Sequence, residues 1–281
     1  NIDGGTNVLL NNILFTNGFS EGNGGAILAY GNVNIAGSSF INNTGYDGGA
    51  VYFSDAGNVT DCSFSDNTAT GYGSAVRMLS GSVSNSNFTD NMGDHGAVNM
   101  GSGNVSNSNF VNNTASNDGG AVYICNSGDV RNCNFDGNTG YDGGAVCMSS
   151  GNVTDCNFTG NTATSRGGAV YFDSNGTVSN CNFAANTAIL WGGAVYFNST
   201  GDVSNCNFTD NSAVYGSAIY FWNNRVTHTV SNSIFLNNRA NAEALEIIKN
   251  DNNITIIFTG QNNLLNAIYS PDDVTFTNVT Y

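Results

Sequence analysis

The sequence has one proline in 281 residues, two histidines, and six lysines and arginines set against 21 aspartates and glutamates, for a net charge of −15. Such an excess of acid repels a phosphate backbone, which argues against nucleic acid or anionic lipid as the main partner. No apolar run reaches 18 residues, so no segment reads as a membrane-inserting helix. The opening residues, NIDGGTNVLL, have neither the basic stretch nor the apolar core of a leader, and they fall inside a repeating pattern. The chain is therefore expected to be a segment of something longer. Leucine, at ten residues, is too scarce for a leucine-rich repeat. The seven cysteines are odd in number and include no Cys-x-x-Cys pair, which argues against a disulfide framework or a thiolate metal site.

What the chain does have is glycine, 36 residues of it, and a repeat. A Phe followed three residues later by Asn recurs as Phe40, Phe64, Phe88, Phe110, Phe135, Phe158, Phe183, Phe208 and Phe235, at spacings from 22 to 27 with a mean near 24. In step with it runs Gly-Gly-Ala-aliphatic, with the alanine at 26, 50, 75, 97, 121, 145, 169, 194 and 218. Neighbouring side chains on a strand face opposite ways. The positions one and three after each alanine are apolar in every copy, from Ile27 and Ala29 to Ile219 and Phe221, so both face a core. The position between them runs Leu28, Tyr52, Arg77, Asn99, Tyr123, Cys147, Tyr171, Tyr196 and Tyr220, and a slot that takes Arg and Asn is expected to face water. A second strand carries a valine, from Val59 to Val203, five residues before the Phe. No helical period appears in any copy.

Short strands every 24 residues with an Asn at one fixed bend predict an all-β, right-handed parallel β-helix of about 24 residues per coil, with each Asn bonded to its neighbours along the stack. A left-handed β-helix steps by hexapeptides, roughly 18 residues per coil, and does not match. Residues 1–245 are expected to form one repeat domain. Past Asn238 the pattern decays, with Gln261 in the Asn place after Phe258 and none after Phe276, so 246–281 reads as degenerate terminal coils or a cap of the same domain. Ser74 and Ser217 replace the second glycine of the motif, and His95 the first.

The paired motifs, GGAVYF at 167–172 and NFTDNSA at 207–213, resemble the GGA(I/L/V) and FxxN repeats of polymorphic outer-membrane proteins of intracellular bacteria and, in their Asn-rich flavour, the adhesin-like surface proteins of methanogenic archaea. The likeness covers roughly residues 20 to 245. It implies an extracellular, cell-surface segment that contacts a glycan or protein of another cell or matrix, with no family catalytic residues to carry over. A monomeric rod is expected.

Right-handed β-helices include polysaccharide lyases and hydrolases, which combine acid clusters with basic residues or His. Here the basic set is Arg77, Arg131, Arg166, Arg225, Arg239 and Lys249, and the sole adjacent acidic pair, Asp272-Asp273, lies in the degenerate tail. The leading expectation is therefore a non-enzymatic adhesin rod, with a polysaccharide-acting enzyme or a passive surface stalk as alternatives. Two groups of residues are candidate sites. Tyr171, Trp191, Tyr196, Tyr215 and Tyr220 fall on three successive coils and would offer flat rings to a sugar or protein, unless they only brace the sheet. Asp94, Asp118 and Asp142 share one loop slot before Arg166; stacked carboxylates need a cation, so Ca²⁺ is the one cofactor considered, against solvated turn acids. No other cofactor is implied. Five cysteines, Cys62, Cys133, Cys156, Cys181 and Cys206, occupy a slot that is Ser38, Ser86, Ser108 and Ser233 elsewhere, which marks a small buried position.

Overall fold

A computed structural model describes residues 1–2, 8–31, 33–222 and 227–240, together with the backbone of the strands at 247–249, 255–259, 263–264, 274–276 and 279–280. The expected boundary between 245 and 246 lies outside the described residues. Every strand pairing is parallel, and no helix occurs among the described residues. The chain winds through three sheets of 18, 12 and 9 strands, and each coil between Ile27 and Ala240 adds strands to all three.

The longest sheet takes both the strand after Gly-Gly-Ala and the valine strand. In four coils these run together as Val76–Ser84, Val98–Ser106, Val122–Arg131 and Val146–Thr154, and in the later coils they separate, as in Val195–Phe197 and Gly201–Ser204. The second sheet carries the motif Phe, as in Asn182–Ala184, and the third the two residues after the ladder Asn, as in Thr187–Ala188. Strand pairing continues from Ile219–Phe221 to Ile247–Lys249 and from Thr255–Thr259 to Val274–Phe276.

A short coil must turn sharply between sheets, and the composition supplies the means. Backbone with φ between 49° and 68° recurs at three corners per coil: at the glycine two before most motif alanines, three before each Phe, and two after it. Only Gly, Asn and Asp adopt that left-handed region readily. Gly143, with φ of 66°, shows why the first corner demands glycine: a Cβ there would lie 2.2 Å from the Val146 carbonyl oxygen. Ala185, with φ of 55°, is the one corner residue of another type among the described residues and carries the strain.

Inside the stack the side chains form continuous columns. Ten motif rings, from Phe15 to Phe235, stack with centroids 4.7 to 5.0 Å apart and planes within 9°. Phe15 belongs to the column although its coil has Gly18 where the others have Asn. The Asn ladder is buried as expected. Asn186 Nδ2 donates to Asn211 Oδ1 at 3.0 Å and to the Phe158 carbonyl at 3.0 Å, while its Oδ1 accepts from the backbone and side chain of Asn161. The same set repeats from Asn67 to Asn211, each Asn giving to the next coil and receiving from the one before, while Asn43 gives likewise and receives the Gly18 N–H. The Cys/Ser slot repeats too: the Cys156 thiol donates to the Thr154 carbonyl at 3.1 Å and accepts the Cys133 N–H at 3.4 Å, as the Ser108 hydroxyl donates to Ser106 and accepts from Ser86. None of the seven cysteines is disulfide-bonded.

Candidate functional site

Two columns of side chains run together on the outer face of the longest sheet. One is the outward strand slot from Leu28 to Tyr220. The other is the residue just before the left-handed glycine of each coil, running Tyr72, His95, Asp118, Asp142, Arg166, Trp191 and Tyr215 along the central coils. That glycine turns the chain into the strand, so the residue ahead of it folds back over the outward slot. Its acidic members also accept the backbone N–H of the next coil's member: Asp118 Oδ1 from Asp142 at 3.3 Å, Asp142 Oδ1 from Arg166 at 3.1 Å.

This overlap overturns the expectation that the outward slot faces water. Tyr171, Tyr196 and Tyr220 are only 6 %, 1 % and 4 % exposed, stacked face to face at 5.2 and 5.4 Å. The Arg166 guanidinium lies over Tyr171 at 4.9 Å and Tyr196 at 5.4 Å, and Trp191 packs 6.4 Å from Tyr220. Asn99 and Cys147 are buried in the same slot. Of the five rings expected to form a recognition face, Tyr171, Tyr196 and Tyr220 make a second, external core with Cys147, the half-buried Trp191 packs on it, and only Tyr215 is substantially open. Burial raises the hydroxyl pKa of Tyr171, Tyr196 and Tyr220, the last pushed up to about 12.

The acidic group is also rearranged. The His-Gly-Ala turn at 95–97 has one residue fewer than its neighbours, and Gly96 takes the left-handed corner with φ of 54°. His95 therefore occupies the slot, bridged to Tyr72, and Asp94 sits one place earlier, in line with Gly71 and Asn117. Asp94 accepts hydrogen bonds from Ser116 and Asn117 and lies 3.2 Å from His95 Nδ1. Only Asp118 and Asp142 are stacked neighbours, and Asp142 is engaged by Arg166 through both oxygens. Among the described residues no three His, Cys, Asp or Glu side chains are placed to hold one metal ion, so Asp94, Asp118 and Asp142 do not converge as a Ca²⁺ cage.

What the structure does bring together is a cleft of about 200 Å³ where the two columns part, lined by Asp118, Tyr123, Cys125, Asp142, Cys147, Met148, Ser149, Arg166, Tyr171 and Asp173. Burial raises the Asp118 carboxyl above its ordinary range, and the Asp142 charge pushes the same way. Burial also pushes Tyr123 up to about 12, with the neighbouring Cys147 adding to the shift, and holds the Cys147 thiol well above its usual value. The Arg166 guanidinium loses hydration, but the Asp142 hydrogen bond and charge overcome this and hold it protonated. The cleft thus joins parts of both expected groups, Tyr171 with Asp118 and Asp142. Tyr123, Cys125, Cys147 and Asp173 were missed as site residues; the signal for the first three was their place on consecutive coils in and beside the outward slot.

The family model described as right handed beta helix region matches residues 104–263, more than half of the chain. No curated protein and no solved structure matches it.

Proposed function

This chain belongs to the right-handed β-helix family, and from that footing we propose that it is a non-enzymatic recognition segment of an extracellular, cell-surface adhesin, a rigid rod that binds a glycan or protein of another cell or matrix. The observation that carries the reading is the state of Arg166. It is the one basic residue lining the cleft, and it is held by both oxygens of Asp142 and laid over two tyrosine rings. A guanidinium so fixed shapes a preformed pocket and gives no free base. Rigid walls lower the ordering cost of binding, and a pocket of this size takes one sugar ring or one side chain. The net charge of −15 favours neutral or cationic ligands over acidic polymers.

The test is whole-cell and glycan-array binding by the protein, compared with Tyr123→Ala and Asp118→Asn. Binding that falls several-fold in these variants, with no product released from any bound glycan, supports recognition at the cleft. Release of new reducing ends or unsaturated sugars would favour the polysaccharide-acting enzyme. Absence of binding to every cell and glycan would leave the passive stalk.

A further inference from the structure

The second sheet has an outer face of different chemistry. The residue before each motif Phe points away from the core, and in six successive coils it is an exposed Asn: Asn87, Asn109, Asn134, Asn157, Asn182 and Asn207. From Asn109 to Asn207 each Nδ2 donates one hydrogen bond to Oδ1 of the Asn one coil before, at 2.8 to 2.9 Å. A carboxamide has two N–H groups and an oxygen with two lone pairs. The row therefore fixes every amide plane and leaves one donor and one acceptor per interior rung turned to solvent. Beneath it the Phe rings of the same coils are 4.8 to 5.0 Å apart with planes 2° to 9° from parallel, so the rungs succeed one another almost without rotation. The row ends at Ser63 on one side and Ile234 on the other.

We infer that this amide row is a binding track for a neutral, extended, β-linked polysaccharide lying along the rod axis, one sugar to a coil. The inference rests on the recognition reading above and names its ligand class, on a sheet other than the one that bears the cleft. Three features select this occupant. The six rungs are uncharged in a chain of net charge −15, so an acidic polymer is repelled while a neutral one is not. Vicinal equatorial hydroxyls match a donor and an acceptor on one amide, and diequatorial linkage gives a straight ribbon whose rise per sugar is close to one coil spacing. The strip spans five coil steps, about 24 Å, and only two or three side chains in width. That is far short of the roughly 800 Å² per partner a stable protein interface buries, and a second copy would bring another −15 against it. A single polymer chain is narrow enough.

The experiment is calorimetric titration of the protein with β-1,4-linked glucose, mannose and N-acetylglucosamine oligomers of two to eight sugars, with acidic galacturonate oligomers as controls. For at least one neutral series, affinity should climb with each added sugar and level off near six, with the acidic series at least tenfold weaker. Asn134→Ala/Asn157→Ala, which removes two central rungs of exposed side chains, should lose tenfold or more of that affinity with Tm nearly unchanged. Affinity independent of length, or unchanged in the double variant, or absent for all three neutral series, would overturn the inference. Cell binding that persists in those circumstances would leave the recognition reading standing, and its loss would remove both.

Discussion

Arg166 and Asp142 stand one coil apart, and the carboxylate accepts three hydrogen bonds from that one arginine, from its backbone N–H and Nε at 3.1 Å each and from a terminal guanidinium nitrogen. Asp142 is almost wholly buried. Removing one partner of such a pair leaves the other charge poorly compensated. Asp142→Asn should therefore cost about 2 to 3 kcal/mol. Arg166→Lys should cost about 1 to 2 kcal/mol, because an ammonium reproduces neither the bidentate contact nor the flat stacking on Tyr171 and Tyr196. Chemical denaturation of both variants checks this; a Lys variant as stable as the parent would show that only charge matters here.

Asn186 supplies two donors and a doubly used acceptor inside the stack, and Phe183 fills the neighbouring space. Phe183→Ala should lose about 3 to 5 kcal/mol through the cavity it opens. Asn186→Ala should lose about 2 to 4 kcal/mol, because backbone and amide groups of the adjoining coils are left unpaired. An unchanged Tm for Asn186→Ala would mean that water replaces the ladder at no cost.

The raised Asp118 carboxyl gives a pH dependence of definite sign. Burial, aided by Asp142, disfavours its charged form, while His95 and Arg166 act against this. A group whose folded pKa lies above its unfolded value of 3.8 destabilises the fold once it ionises, fully above the folded pKa and not at all below the unfolded one. Asp118→Asn keeps an acceptor for the Asp142 N–H and loses the charge. It should melt above the parent at pH 7, with the gap closing as pH falls through the raised pKa toward the ordinary carboxylate range. A variant that melts below the parent at pH 7 would mean that the Asp118 charge is favourable in place.

Six cysteines are buried and Cys125 is exposed. Alkylation of the native protein followed by peptide mass analysis should therefore modify Cys125 quickly and the remaining six only on unfolding. Within the buried column, Cys156→Ser should change stability by less than about 1 kcal/mol, since serine makes the same bonds in other coils, whereas Cys156→Val should cost about 2 kcal/mol by stranding the Cys133 N–H.

The repeat, the inward positions and the Asn ladder were legible in the sequence because each is enforced in every coil by the same steric rule: Val170 and Phe172 point into the stack, and a residue that fails there leaves a void. The outer face was not legible in that way. Arg77 and Asn99 in the outward slot suggested solvent, yet Asn99 is buried, because the slot is roofed by a loop residue whose position depends on the turn and not on the strand. The Asp94 alignment failed for a related reason. Counting back from Ala97 places Asp94 beside Asp118, but the turn has lost a residue and Gly96 takes over the left-handed corner, so His95 moves into the slot. Alternation reports which side of a strand faces the core, whereas a loop crossing over the other side is a matter of turn length.

The buried ladder has one further consequence, for how such a protein changes over generations. Asn138, Asn161, Asn186 and Asn211 all receive from the coil before and give to the coil after by the same hydrogen bonds, so a coil has two ends that match each other. A duplicated or deleted stretch of one repeat length joins its neighbours with no new fit to be found. The reach of the rod is thereby an inheritable quantity that recombination between repeats can lengthen or shorten in whole steps, while the faces that meet the outside vary coil by coil.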